Sequence, residues 1–291
     1  MDHYTGFINQ YKKTALPHEL MQANVNVGRA YLAMSDKDKN AASKADPYFR
    51  ATTKMWLDGA PDAIARADAP DDQKARYLAF AKIAVAEALF HLANEGFNKF
   101  AAIKFPEFKS SVKGGDPMTK KQKMQEQFSK WMAEDFVKWM GDKAKALDAA
   151  QKEYEKIAEL QVPQWDIASA TRVGDMYLSF VNDFRDAPVP PTLQGDDELV
   201  DIYYQGLDEA SKPWIEKAKS AYEFCLITAT KVRWFNEYMT RCEEELFKLD
   251  PRAYPRASEL RGSDTYTYSA EAKPGLVELG GSGDDDLEGG K

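Results

Sequence analysis

The sequence has few of the residues from which catalytic and metal sites are usually built. Its 291 residues include two cysteines and three histidines, and His3, His18 and His91 lie far apart along the chain. It contains no G-x-x-x-x-G-K-[ST], H-E-x-x-H or G-x-S-x-G motif. Two cysteines cannot by themselves supply the four ligands of a structural zinc site. We therefore expect no enzymatic activity, no cofactor and no bound metal.

Long apolar runs and an excess of basic charge are also missing. No window offers the roughly 20 apolar residues that a membrane-spanning helix needs, and the first residues lack a basic stretch followed by an apolar one. The net charge of -8 argues against a nucleic-acid partner, because such proteins normally carry a concentrated basic face. We expect no transmembrane segment, while association with an envelope membrane stays open.

Strand patterns are nearly absent, and apolar residues instead recur at three- and four-residue spacing. This periodicity predicts an all-α fold, and prolines separate its segments. The predicted helices are Glu19–Met34, Pro47–Leu57, Lys74–Phe100, Met118–Leu160 as one helix or a pair, Trp165–Phe184, Asp196–Ala229 with a possible break at residues 211–213, and Arg233–Leu249.

Three regions are predicted along the chain. A loop at residues 105–117, with Gly114-Gly115 at its flexible point, divides an N-terminal helical region, 1–116, from a second helical region, 117–261. The remainder, 262–291, is a Gly-rich acidic tail with little to bury. We expect this tail to be mobile, and residues 280–291 to be removable without loss of the fold.

The two cysteines, Cys225 and Cys242, flank a predicted turn near residues 232–234 at about two helical turns on each side. Antiparallel helices would bring them to a similar height, so a disulfide is possible. Cysteine is also a common small core residue. We favour buried free thiols.

A cluster of aromatic residues, from Phe128 through Trp131 and Phe136 to Trp139, lies in a segment rich in lysine. This composition also occurs in helices that bind membranes or partner proteins. An apolar stripe in a helical stack usually faces the core, with lysines solvating the other face. We favour the core interpretation.

Two copies of V-G-x-x-Y-L, starting at Val27 and Val173, occur inside predicted helices. Glycine costs about 1 kcal/mol relative to alanine in a helix interior. A glycine beside a large aromatic therefore indicates close contact with a neighbouring helix. We expect Gly174 to pack directly against such a helix.

Parts of the sequence fit the tetratricopeptide repeat, in which pairs of antiparallel helices carry small and aromatic residues at set positions. Gly174 and Tyr177 fit its first helix, and Ala218, Tyr222 and Cys225 fit its second. Gly28 and Gly174 are 174 - 28 = 146 residues apart, which is not a multiple of the roughly 34-residue repeat. We therefore predict irregular tetratricopeptide-like antiparallel hairpins stacked into a solenoid, with insertions.

Several segments carry a more specific resemblance. They are VPQW (162–165), RVGDMY (172–177), DAPVPP (186–191), AYEFCL (221–226), WFNE (234–237) and LDPRAYP (249–255). Together they resemble tetratricopeptide-type proteins of the myxobacterial envelope and gliding-motility machinery, over residues 147–261. The resemblance implies a non-enzymatic scaffold, periplasmic or envelope-associated, that holds protein partners in a motility or trafficking complex; a cytoplasmic location is not excluded.

A partner-binding face is predicted from helical offsets. If Gly174 and Tyr177 face neighbouring helices, Thr171, Asp175 and Ser179 point toward a concave side, and the same offset in the earlier copy selects Arg29. Asp175 would accept from a partner and Arg29 would donate to it. The other interpretation is that these are ordinary solvated side chains.

A different class of function is an all-helical enzyme or small-molecule receptor. Acids and aromatics such as Asp175, Tyr203 and Tyr204 would then line its pocket. A deep enclosed pocket with converging acids favours the receptor, and an open concave face favours the scaffold.

Overall fold

The computed structural model describes residues 2–255, and every regular element in that range is helical. The elements are α1 Asp2–Tyr11, α2 Pro17–Leu32, α3 Ala41–Leu57, α4 Ala60–Ala65, α5 Asp71–Ala102, α6 Pro117–Trp131, a π-helical turn Met132–Phe136, α7 Val137–Ala158, α8 Pro163–Arg185, α9 Asp197–Val232 and α10 Glu237–Leu249. The all-α prediction is confirmed for this range. The expectations about the acidic tail fall outside the described residues.

All seven predicted helical segments are present, with differences at two prolines and at the start of the last helix, which begins at Glu237 rather than at Arg233. Pro47 lies inside α3 rather than at its start, and α9 continues through Pro213 without the break that we considered. Both prolines are exposed, so a carbonyl that loses its helical partner can be solvated. The short helices α1 and α4 were not predicted. No helix within residues 2–255 is both long and apolar enough to cross a membrane.

Helix α5 is the centre of the packing. It contacts α2, α3 and α4 on one side of the molecule and α7 and α8 on the other. Its buried residues are mostly alanines, and a Cβ placed on Gly96 would lie 3.3 Å from Ala150 of α7. Small side chains allow several helices to approach the same segment of α5.

The aromatic stripe of α6 and α7 is buried, which confirms the core interpretation. Phe128, Trp131 and Trp139 are each less than a tenth exposed. Phe105 and Phe108, from the loop predicted as a domain boundary, pack their rings against this stripe. One continuous core therefore runs through both predicted helical regions.

Each V-G-x-x-Y-L glycine lies against an aromatic ring of the next long helix. A Cβ on Gly28 would lie 2.5 Å from Cε1 of Phe49 in α3, and one on Gly174 would lie 2.5 Å from Cε1 of Tyr222 in α9. Both rings are buried. The expected close contact at Gly174 is therefore confirmed, and the same contact occurs at Gly28.

The preference for free thiols was wrong, because Cys225 and Cys242 form a disulfide. Arg233, in the left-handed conformation, ends α9, and the side chain of Asn236 caps the start of α10. This tight turn makes the two helices antiparallel and places the cysteine Cα atoms 6.5 Å apart. That separation is within the range that a disulfide spans.

Gly174→Ala should destabilise the fold, although alanine normally stabilises a helix interior by up to about 1 kcal/mol relative to glycine. The added methyl group must displace the ring of Tyr222, and we expect a loss of about 1 to 3 kcal/mol. Gly141→Ala, in open space on α7, is the matched control and should be neutral or stabilising. Chemical unfolding of the three proteins measures the difference. Equal stabilisation by both substitutions would contradict the close contact at Gly174.

Candidate functional site

An open groove lies over the C-terminal part of α5. Both α3 and α8 pack against α5, but within the described residues they do not pack against each other. The gap between them forms a cavity of about 720 Å³, lined by residues of α2, α3, α5 and α8. Its α3 wall covers residues 42–50, which corresponds to about 13 Å of helix.

The outer rim of the groove carries acids and bases that neutralise one another. Arg50 of α3 binds Asp46, with Nε 2.6 Å from Oδ2, and its Nη2 lies 3.6 Å from Oε2 of Glu95 on α5. Glu95 also binds Lys99, at 2.8 Å. These side chains are 39% exposed or more, so each pair adds little stability. The acids of this rim are therefore already in ion pairs with bases of the same chain.

The floor of the groove is aromatic. The ring of His91 stacks on Phe49, with centroids 4.7 Å apart, and meets Trp165 edge-on at 5.9 Å. Phe49 is itself held between this ring and Gly28. Burial, followed by the nearby charge of Arg29, lowers the pKa of His91 to about 4. His91 is therefore neutral at pH 7 and acts as part of an apolar floor.

Arg172 of α8 is the cationic residue on the side of the groove opposite α3. Its guanidinium carbon lies 5.0 Å from the ring centre of Phe97 and 5.8 Å from that of Tyr238. Asn94, nearby on α5, accepts a hydrogen bond from the Tyr154 hydroxyl at 2.7 Å, so its amide nitrogen is not used in that bond. Aromatic contacts hold the guanidinium plane in place.

The structure places Arg29 and Asp175 in two separate ion pairs. Arg29 forms two hydrogen bonds with Glu87, which is only 1% exposed on α5. Asp175 accepts from the Tyr222 hydroxyl at 2.8 Å and from Nε of Arg241 on α10 at 3.2 Å. The principal charges of both residues are thus engaged within the chain, and neither lines the groove.

The expectation that Thr171 points to an open face is corrected. Its side chain is buried, and its hydroxyl donates to the Ile167 carbonyl and lies 3.0 Å from the sulfur of Cys242. Thr171 is three residues before Gly174 and so lies only about 60° from it around the helix. Ser179 is half-buried. Partner binding through Arg29, Asp175 and Ser179 stays a prediction.

The aromatic pair considered for a small-molecule pocket lies elsewhere. The Tyr203 hydroxyl donates to the Pro188 carbonyl at 3.1 Å, and Tyr204 is 44% exposed near the start of α9. Neither tyrosine lines the groove, and Asp175 accepts a hydrogen bond from Tyr222. The structure does not bring Asp175, Tyr203 and Tyr204 together in that groove.

A second cavity, of about 700 Å³, lies between α1, α2 and α5 and has mainly apolar walls. His18 forms part of it, stacked on Tyr77 at 4.2 Å between ring centres. Burial lowers the pKa of His18, with an opposing contribution from Glu19. Phe80 covers one side and is half-exposed.

The groove residues were not predicted, because the predicted binding face was placed by its offset from the glycines of the V-G-x-x-Y-L copies. A usable signal was present on α5, where His91, Glu95 and Asn98 recur at i, i+4 and i+7 in an otherwise alanine-rich helix. On α8, Arg172 is two residues from Gly174 and therefore about 160° around the helix, opposite the packed face. Nothing in the sequence showed that α3 and α8 would leave this face open.

The low pKa of His91 predicts that acid destabilises the protein through this residue. The unfolded histidine binds a proton below about pH 6.5, whereas the folded one does so only near pH 4, so stability is lost as the pH falls between these values. Between pH 7.5 and pH 5 the wild type should lose about 2 kcal/mol more than His91→Gln. Urea unfolding at the two pH values measures this. His3→Gln, on the exposed part of α1, is the control and should follow the wild type; a wild type and His91→Gln that lose stability in parallel would contradict the prediction.

Comparison with known proteins identifies no relative for this geometry: no family model, no curated protein and no solved structure matches the chain.

Proposed function

We propose that the protein is a non-enzymatic helical scaffold that holds a protein partner in the groove over α5. The observation that carries the proposal is the gap between α3 and α8, which leaves one face of α5 uncovered. The groove combines an aromatic floor, self-neutralised rim charges and one cationic side chain. Interfaces typically place apolar contacts at the centre and polar groups around them.

The shape of the groove favours a peptide segment over a compact small molecule. The roughly 13 Å of its α3 wall would accommodate about four residues of extended chain at about 3.3 Å per residue. The groove is open to solvent along this length and its rim acids are paired with Arg50. A compact ligand is usually enclosed over most of its surface.

The packing order supports a tetratricopeptide-like arrangement. In the first copy α2 packs on α3 and both contact α5; in the second, α8 packs on α9 and both contact α10. The residue after each glycine forms an ion pair with the third helix, Arg29 with Glu87 and Asp175 with Arg241. We propose that these two units are irregular members of one helical stack.

We further propose that the scaffold works in an oxidising compartment, in association with the bacterial envelope and its motility or trafficking machinery. The Cys225–Cys242 disulfide supports this location, because disulfides persist in the periplasm and are rare in the cytosol. The described helices offer no membrane span, so the proposed association would be through partners or the envelope surface.

Filling the groove should abolish partner capture without loss of the fold. Ser43 is exposed on the α3 wall, and Ser43→Trp would project an indole over the floor. Ser129→Trp, on the exposed face of α6, is the matched control. Immobilised wild type, Ser43→Trp and Ser129→Trp are compared for proteins captured from solubilised native envelopes, with melting temperatures measured in parallel.

The proposal requires a protein that binds the wild type and Ser129→Trp but is lost with Ser43→Trp. That protein is then purified and titrated against all three, where Ser43→Trp should weaken binding at least about 10-fold. Equal binding by a folded Ser43→Trp would remove the groove from the partner interface.

The compartment proposal predicts oxidised cysteines in cells. Thiols are blocked in intact cells and a mass-tagged maleimide is added before and after reduction; Cys225 and Cys242 should react only after reduction. Reduction of the purified protein should cost about 3 kcal/mol of stability, as expected for a loop of 17 residues. Cys225→Ser with Cys242→Ser should reproduce this loss and abolish the effect of reductant. Free thiols in intact cells would contradict the proposed compartment.

A further inference from the structure

We propose that the groove recognises a carboxylate on the bound segment, and that Arg172 is the residue that binds it. This inference rests on the proposed function of the groove and adds the chemistry of its ligand. The carboxylate is the C-terminal one of a partner chain whose last residue is apolar, because Phe97, Leu92 and Phe49 line the groove beside Arg172.

Arg172 is held in place but incompletely paired. Its Nε is buried and has no hydrogen-bond partner among the described residues. The nearest acid in an ion pair with it is Asp175, whose Oδ2 lies 3.8 Å from Nη1. Asp175 already accepts from Tyr222 and Arg241 through its other oxygen. Nε itself is out of reach of a ligand, but the side chain is 32% exposed and lines the groove, so its terminal nitrogens are suited to bidentate binding of a carboxylate.

The ion pairs that include Arg172 contain one more positive charge than negative charges. On α8 and α10 the ion pairs form one chain, from Arg172 to Asp175, Arg241, Glu245 and finally Lys248. This chain has three bases and two acids. Because the acids at the rim are paired with Arg50 and Lys99, they do not offset the excess charge. An anionic ligand group would restore the balance at the end of the chain that faces the groove.

The surroundings of Arg172 favour a carboxylate attached to an apolar residue. Phe97 lies under the guanidinium, and Leu92 and Phe49 extend the apolar lining along the groove. Asn94 and Asn98 supply amide groups on the α5 side of the groove. A partly buried site strengthens a charged hydrogen bond relative to one in water. A fully hydrated inorganic anion would not use the apolar lining.

Three pools of random octapeptides test the proposal on the full-length protein. The first has free C-termini and no acidic side chains, the second has amidated C-termini and one glutamate, and the third has amidated C-termini and no acid. We expect the protein to retain the first pool at least about 10-fold more than the second and the third, as measured by mass spectrometry of the eluate. Preferred retention of the second pool would overturn the C-terminal source and assign the carboxylate to an acidic side chain.

Variants then connect this selectivity to Arg172. Arg172→Gln should reduce retention of the first pool to that of the third pool, while Arg66→Gln, an equal charge change on an exposed residue, should leave it unchanged. Arg172→Lys keeps the charge without the planar fork and should show intermediate retention. Circular dichroism checks that each variant is folded.

The comparison of the three pools on the wild-type protein needs no variant. It therefore tests carboxylate recognition even if Arg172→Gln unfolds. Equal retention of all three pools, with loss in Ser43→Trp, would overturn carboxylate recognition while leaving the groove as a peptide site. Retention of none would overturn both proposals. Undiminished retention of the first pool by a folded Arg172→Gln would overturn the role of Arg172, since another residue would then bind the carboxylate.

Discussion

The groove depends on the close packing of small residues along α5. Buried alanines and Gly96 allow α2, α3, α7 and α8 to reach one helix, so α5 joins the two halves of the molecule. Larger side chains would hold these helices farther away and expose more of the core. Since α3 and α8 contact α5 from different sides, their separation is set by α5 itself. The width of the groove therefore follows from packing at its base.

The close contacts at Gly28 and Gly174 fix how neighbouring helices pack in the N-terminal and C-terminal halves of the molecule. An absent side chain lets Phe49 or Tyr222 lie directly on the neighbouring helix, and the residue after the glycine then reaches a third helix. The ion pair is reversed between the copies, with Arg29 paired to Glu87 and Asp175 paired to Arg241. Each half is thus defined by a steric contact and an ion pair, and the sign of the charges is secondary to the geometry.

Most helices were predictable from local pattern, because periodicity and helix-breaking residues act over a few positions. The close packing of Gly174 against a neighbouring helix was predictable in the same way. The groove was not, because it arises where α3 and α8 fail to meet, and a single sequence carries no record of that distance. Thr171 shows the limit of helical offsets: the chosen face was about 60° from the packed glycine and was buried. The spacing of Cys225 and Cys242 was compatible with a disulfide or with free thiols. The tight turn before Asn236 brings the two cysteines close enough for the disulfide.

The same elements that stabilise the C-terminal half also hold the side chain of Arg172 in place. The disulfide joins α9 to α10, and Thr171 of α8 lies against both sulfur atoms. This arrangement fixes Tyr238 beside the guanidinium of Arg172, with Phe97 of α5 as the other aromatic contact. An arginine already held between rings loses less conformational freedom on binding than one on a mobile surface. The disulfide lies against α8 through Thr171, so the cross-link between α9 and α10 also helps to fix the helix that carries Arg172.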